Sequence, residues 1–306
     1  MVQSKSVLKG WLMRQTVHAS LAGDYALALS AVGPALARHH RSVGLRFRKL
    51  TEEDYDRLQA ETLEALRQGP MNRGRLRELV PEWNEHENLG WGFDVRGLAH
   101  RGQVLMTSQA AARTEFVAAE AWLGAPVPEV PDPWPTLFRR YLAAYAPASV
   151  GDFAAWAGIY VPVAKAALAG VGEAVAVEVE GKKGAHYVLP DQLALFSDPP
   201  PAPAVRLLPK FDALLMGHKD RRLVLPEERR PLVVRAAGQI EAVVLVDGVV
   251  GGTWRLERAG KRASVAVRLA LPPGARLKKE IAAEAGRMAE SLAGHAGAGN
   301  LAVEIA

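Results

Sequence analysis

Two short stretches set charged and titratable side chains inside apolar frames, where a purely structural segment would carry few. The first, Trp11-Leu-Met-Arg14-Gln15-Thr16-Val17-His18, alternates large apolar residues with polar ones. Read as a strand over 11–17, it projects Arg14, Thr16 and His18 from one face, because residues i, i+2 and i+4 share a side, and turns Gln15 to the other. A guanidinium, a hydroxyl and an imidazole in one row offer hydrogen bonds to an anion. A structural alternative stands beside that reading, with Arg14 paired to a carboxylate and His18 capping the following helix. The second stretch runs from Leu207 to Arg222 and carries seven charged or titratable groups in the thirteen positions from Lys210. Such density suits a loop that contacts something.

The familiar catalytic constellations are missing. Gly170-x-Gly172 has no third glycine at the dinucleotide spacing and ends a helix where that fingerprint follows a strand. No Walker A sequence, Gly-x-Ser-x-Gly elbow or His-Glu-x-x-His pair occurs. His39-His40 reads as a surface pair rather than a ligand set, and His86 has no second histidine at helical spacing, so no metal and no cofactor are expected. With no cysteine in 306 residues, disulfides, thiolate zinc sites, iron–sulfur clusters and a cysteine nucleophile are excluded.

The chain carries a formal charge of +5 and a pI near 9.5, a surplus that attracts polyanions. Arg38 to Lys49 (RHHRSVGLRFRK) holds five Arg or Lys and no acid. It reads either as a solvated helix end or as a phosphate-facing patch. Hydrophobic residues make up 49% and charged residues 23%, the range of folded domains. Neither a secretory h-region near Met1 nor a run of about 18 apolar residues is present, so a cytoplasmic protein without membrane contact is expected, nucleoid-associated when bound to DNA.

The elements that must position these residues fall into four blocks. Residues 1–50 give the strand over 11–17, with no evident partner before it, and a helix from Ser20 or Asp24 to about Leu36. Residues 51–125 give helices at 53–67, 72–83 and 91–100, then extended pieces at 103–107 and 114–117. Pro70-Met-Asn72 supplies turn and cap chemistry. After prolines 126 to 135, residues 133–198 repeat the order: helices at 135–145, 150–157 (with Ser149 as N-cap) and 161–169. A hairpin of 174–179 with 185–189 follows, its turn tipped by Lys182 and Lys183. Helix, helix, helix, two-stranded wing is the order of a winged helix. Residues 204–306 predict strands at 232–235, 240–246, 249–256 and 264–269, turns at Asp247-Gly248 and Ala259-Gly260-Lys261, a helix at 275–292 and a strand at 301–305. The predicted class is α+β: tandem winged helices followed by a β-rich C-terminal module.

Four motifs in order then carry a family resemblance: Trp11-Leu-Met-Arg-x-Thr-x-His18; Arg140-Tyr-Leu-Ala-Ala-Tyr-Ala-Pro147 with Asp152-Phe-Ala-Ala-Trp-Ala-Gly158; Leu208-Pro-Lys-Phe-Asp212 through Gly217-His-Lys-Asp-Arg221; and Val246-Asp-Gly248 through Gly252-Thr-Trp-Arg255. Together they resemble the AlkZ/YcaQ family of DNA glycosylases over residues 11 to about 258. The resemblance implies winged helices cradling duplex DNA and metal-independent hydrolysis of the N-glycosidic bond of bulky N7-alkylated purines, including interstrand crosslinks. It implies a Gln-x-Gln or Gln-x-Asp motif that positions water. No glutamine here has Gln or Asp two positions on, and residue 15 is Gln where the family has Gly. Residues 1–50 are therefore expected to be the remnant of a first winged helix. Double-stranded DNA is the expected partner of a monomer, through Arg14, Thr16, His18, Lys182, Lys183, Lys210, Asp212, His218, Arg221, Trp254 and Arg255. An active glycosylase, a catalytically inactive homologue, a winged-helix transcription regulator and an unstable fragment stand as alternatives.

Overall fold

The computed structural model describes residues 4–47, 49–89, 92–107, 114–199, 201, 203–259, 262–296 and 302–305. In chain order its elements are β1 (Val7–Trp11), β2 (Val17–Leu21), α1 (Ala22–Phe47), α2 (Glu52–Arg67), β3 (Met71–Asn72), α3 (Arg73–Leu79), α4 (Phe93–His100), β4 (Val104–Met106), β5 (Glu115–Ala118), α5 (Ala119–Leu123), α6 (Pro133–Tyr145), α7 (Val150–Ala157), α8 (Val161–Ala169), β6 (Val175–Val177), β7 (His186–Val188), α9 (Leu193–Ser197), β8 (Val205–Leu208), α10 (Ala213–Met216), α11 (Arg230–Val233), β9 (Val243–Val246), β10 (Val249–Ala259), β11 (Arg262–Leu269), α12 (Ala275–Ala296) and β12 (Ala302–Ile305). The mixture of helix and strand is the α+β class expected. The chain divides into two compact units, Met1–Ala144 with Ala157–Ala174, and Tyr145–Trp156 with Val175–Ala306.

In the first unit, the strand expected over 11–17 is corrected to a hairpin. β1 pairs antiparallel with β2, Val7 opposite Leu21 and Trp11 opposite Val17. Its partner precedes it after all, because Val7-Leu-Lys-Gly-Trp is itself an extended segment that buries Leu8 and Trp11. The chain reverses through a short turn over Met13–Gln15 in which Arg14 (φ 55°) and Gln15 (φ 57°) are both left-handed. Amide bonds from Gln15 N to Leu12 O (3.0 Å) and Thr16 N to Met13 O (3.2 Å) hold it. Arg14, Thr16 and His18 therefore do not share a strand face.

Helix α1 runs through Pro34 to Phe47, well past the expected end at Leu36. Arg41 turns the basic run toward a helical neighbour, pairing with Asp56 and with Glu52 (3.1 Å) of α2. Arg48 lies outside the described residues. His40, read as a surface residue, is only 4% exposed. Adjacent helical residues point about 100° apart, so one of two neighbouring histidines faces inward when the other faces out. His40 Nδ1 lies 2.8 Å from the Tyr55 hydroxyl, Nε2 donates to Phe93 O at 3.0 Å, and the ring stacks on Phe93 with centroids 4.0 Å apart. Thr51 caps α2 by accepting from Asp54 N, and Asn72 caps α3 by accepting from Arg75 N. Their buried faces join Trp11, Trp83, Phe93 and Phe116 in one core, where Trp83 Nε1 donates to Thr62 Oγ1 at 2.8 Å. A three-stranded sheet ordered β3-β5-β4 closes it. The third helix begins at Phe93; Trp91 lies outside the described residues.

In the second unit, five strands are ordered β12-β11-β10-β9-β8, all antiparallel except β11 with β12. Alternation along β9 splits the core: Val243 and Leu245 face a cluster with Leu215, Leu225 and Val233, while Val244 faces Val205, Val265, Ile281 and Ala285. Asp247 (φ 49°) and Gly248 (φ 80°) make the β9–β10 turn, matching the two positive φ values of a type I′ turn. Two expectations are corrected. Residues 232–235 belong in part to helix α11 rather than to a strand, since Pro231 lacks the N–H a ladder needs and suits a first helical turn. Leu207 and Leu208, expected to open a loop, instead end the edge strand β8 (Val205–Leu208). Gly260 and Lys261 of the second expected turn, and Leu301, lie outside the described residues.

Burial pushes His40 down to about 4 and His100, whose ring lies 6.2 Å from it, down to about 3, with the charges of Arg96 and His39 adding to both shifts. Both values fall below the roughly 6.5 of an unfolded histidine, so the unfolded chain takes up protons first as pH falls. The stability these neutral rings allow is present above pH 6.5 and is lost toward pH 4, at about 1.4 kcal/mol per pH unit per histidine. Urea unfolding followed by circular dichroism should show a lower midpoint at pH 5.0 than at pH 7.5. Equal midpoints would contradict this account of the core.

Candidate nucleic-acid interface

The second unit contains a groove of about 900 Å³ lined by six cations, Lys182, Lys183, Lys219, Arg221, Arg222 and Arg230, against three acids, Asp152, Asp220 and Glu227. Its floor is set by one buried carboxylate. Asp152 is 6% exposed and closes a reciprocal cap on α7: Ser149 Oγ accepts from Asp152 N (3.1 Å), while Asp152 Oδ2 accepts from Ser149 N (2.9 Å) and Oγ (2.6 Å). The other carboxylate oxygen accepts from the backbone N–H of Lys219 at 2.9 Å, which ties the 217–222 segment to the start of the helix. Burial alone would raise the Asp152 carboxyl, but the bonds from Ser149 and Lys219 and the nearby His218 outweigh it and hold it below its ordinary value.

The same segment is seated on an aromatic ring. A Cβ on Gly217 would lie 2.3 Å from Tyr145 Cδ1, so only glycine lets the backbone approach this closely. His218, next along, meets Tyr145 edge-on with centroids 6.2 Å apart. Asp220 then gathers cations. Lys182 Nζ, from the β6–β7 turn, lies 2.7 Å from Asp220 Oδ2, and Arg222 reaches the same carboxylate through Nη2 (2.7 Å). Arg222 first and Lys182 second hold Asp220 well below the usual carboxylate range. Arg221 has no carboxylate partner among the described residues, and its buried Nε has no acceptor. Burial first, and Arg230 second, lower its pKa.

The structure thus brings together Lys182, Lys183, His218 and Arg221 of the sequence-predicted residues. Lys182 is no exposed wing tip but an ion-paired side chain 13% accessible, while Lys183 remains exposed. Lys210 pairs with Glu241 (2.9 Å), Asp212 caps α10 through Leu214 N (2.9 Å), Trp254 Nε1 donates to Leu208 O (2.8 Å), and Arg255 pairs with Glu257. None of these four lines the groove. In the first unit, Thr16 Oγ1 donates to Met13 O (3.1 Å) and His18 Nδ1 to Thr16 O (2.8 Å), inside their own hairpin. Burial lowers His18, and the charge of Arg14 adds to it. Gly158 (φ 74°) sits against Arg14, where a Cβ would be 2.9 Å from the Arg14 amide nitrogen. The sequence places Lys219 and Arg222 in a charged stretch and Asp152 in a motif without singling any of them out as site residues, and it does not point to Arg230 at all. Ser149-x-x-Asp152, a capping spacing, was the available signal.

A concave surface with twice as many cations as acids, two of its cationic heads, Lys182 and Arg222, held by Asp220, has the charge pattern that suits a polyanion. The AlkZ-like DNA glycosylase model matches residues 1–291. The chain belongs to that family. It is 30% identical over 272 residues, 83% of this chain and 72% of the relative, to the interstrand DNA cross-link repair glycosylase of Streptomyces sahachiroi. It is also similar to the solved structure of the Streptomyces sahachiroi DNA glycosylase AlkZ, with a TM-score of 0.76 and 28% identity, covering 100% of this chain and 83% of that one. Among the described residues no helix is long and apolar enough to cross a membrane, and no group of three or more His, Asp or Glu side chains is placed to hold a metal ion.

Replacing Asp152 with alanine removes a helix cap and the acceptor for a buried amide. The expected loss is on the order of 2 kcal/mol, from a cap and a charge-assisted bond together. Thermal unfolding should show it as a drop of several degrees. A melting temperature unchanged within a degree would mean that Asp152 does not anchor the 217–222 segment.

Proposed function

We propose that this chain binds duplex DNA along the basic groove of its second unit and serves the repair of alkylated or cross-linked DNA. The observation that carries the reading is Arg221, a half-buried cation without a carboxylate partner among five further cations. A DNA phosphate would supply the counter-charge that the Arg221 guanidinium lacks and release counterions as it docks. The order of α6, α7, α8 and the β6–β7 hairpin along residues 133–198, and of α2, α3, α4 and the β4–β5 pair along 51–125, supports a reading of both as winged helices. In that reading phosphate contacts fix the register and base reading is secondary. Lys210, Arg255, Trp254 and Asp212 of the fourth block, and Arg14, Thr16 and His18 of the first, remain candidate DNA contacts besides those of the groove.

The Streptomyces relative carries the name of a cross-link repair glycosylase, and that reaction is the second reading for this chain. An N7-alkylated purine is already a cationic leaving group, so an enzyme chiefly contributes a placed water and charge stabilisation at the sugar. The family resemblance assigns this work to a Gln-x-Gln or Gln-x-Asp pair, and this sequence has none. Binding without base release is therefore the function we assign.

Fluorescence anisotropy with two unrelated duplexes should give similar affinities that fall by several powers of ten between about 50 and 200 mM salt if six to ten phosphates are neutralised. Lys183→Ala should weaken binding a few-fold and reduce the salt slope by about 1. Chromatography after incubation with a duplex containing N7-methylguanine should show no free base above the buffer control. Salt-insensitive binding, or none at low salt, would overturn the binding reading; released base would overturn the assignment of binding without excision.

A further inference from the structure

The first unit holds a cation cluster that lies outside the groove just described. Asp94, in the first turn of α4, is 1% exposed. A carboxylate so far from water has to be given hydrogen-bonding partners. Two arginines of α3 supply them. Arg73 Nε lies 2.9 Å from both oxygens of Asp94, and Arg77 Nε lies 3.4 Å from Oδ2. Spaced i and i+4, the two share a face of the helix, while Arg75 between them pairs with Glu78 instead.

The manner of pairing matters more than the pairing itself. Both guanidiniums meet Asp94 through Nε, so the terminal nitrogens of both, Nη1 and Nη2, have no protein acceptor among the described residues. The side chains keep 20% and 24% of their surface. None of these terminal nitrogens is among the buried atoms without a partner. Two planar forks are thus fixed by one acid, with donors still open and one positive charge left over. A third guanidinium, Arg96, sits over the Trp11 ring 5.3 Å from its centroid, and the charge of Arg73 disfavours its protonation after burial has done so.

We propose that Arg73 and Arg77, held by Asp94, form a second phosphodiester site, with their free Nη donors clamping the backbone of nucleic acid. The fit is one of donor geometry. A guanidinium fork matches two phosphate oxygens in a way that a lysine does not. Rotamer-rich side chains that are already immobilised lose less entropy on binding. Asp94 acts here as a positioning residue. The proposal rests on the reading that the chain binds duplex DNA, and it assigns the first unit a phosphate contact of its own.

Arg77→Gln tests it without leaving a buried charge unpaired, since Arg73 keeps both oxygens of Asp94. The variant should melt like the wild type, bind duplex about 3- to 10-fold more weakly near 0.1 M salt, and lose about 1 from the salt slope. A second measurement needs no variant. Arginine modification of the wild type by phenylglyoxal, mapped by mass spectrometry, should show Arg73 and Arg77 protected by duplex, with Arg75 still modified. Wild-type affinity and slope in Arg77→Gln, or unprotected Arg73 and Arg77 on a bound complex, would overturn the second site and leave the groove intact. A wild-type chain that binds no duplex would overturn both.

Discussion

A carboxylate sealed from water must be surrounded by donors, and where those donors come from decides which segments of a chain are locked together. In this protein each such acid takes at least one donor from a segment distant in sequence. Asp152, on α7, takes the amide of Lys219. Asp94, on α4, takes Arg73 and Arg77 of α3. Asp220, less buried, takes Lys182 from the β6–β7 turn. Each acid therefore fixes a segment rich in cations, and the cations it does not consume remain on the surface. Long flexible side chains lose rotamer entropy when they are held, and here the fold bears much of that cost before any ligand arrives.

This arrangement gathers basic residues that the composition alone would leave dispersed. A surplus of +5 spread over 306 residues would give a weak and diffuse field. Six cations around one groove concentrate it. The chain belongs to the AlkZ-like DNA glycosylase family, and in the proposed reading a phosphate backbone would bind such a surface through counterion release with little regard to sequence.

Much of the architecture was legible from periodicity. The 3.6-residue pattern marked α2, α6, α7 and α8 within two residues at each end, because each buries one face against a core. The two-residue pattern marked β9, β10 and β11 for the same reason. The candidate site was less legible, because its anchors join residues far apart. Ser149 was read as a cap, but the bond from Lys219 to Asp152 spans 67 positions. Arg73 and Arg77 stood at helical spacing in plain view, yet the acid that orients them lies 21 positions on from Arg73. The alternation of Trp11 to Val17 fits a strand as well as a hairpin turn, and only the pairing of Trp11 with Val17 separates the two. Lys182 looked exposed because its turn is flanked by glycines, whereas Asp220 draws it in.

In the proposed reading, cations held in place by carboxylates form the DNA-binding surface. Amide hydrogen exchange of the wild-type chain, with and without saturating duplex at low salt, tests it most directly. Slowed exchange at 180–184 and 217–222, together with 73–79, is the predicted result. Slowing confined to the β10 and β11 strands, or no change anywhere, would contradict it.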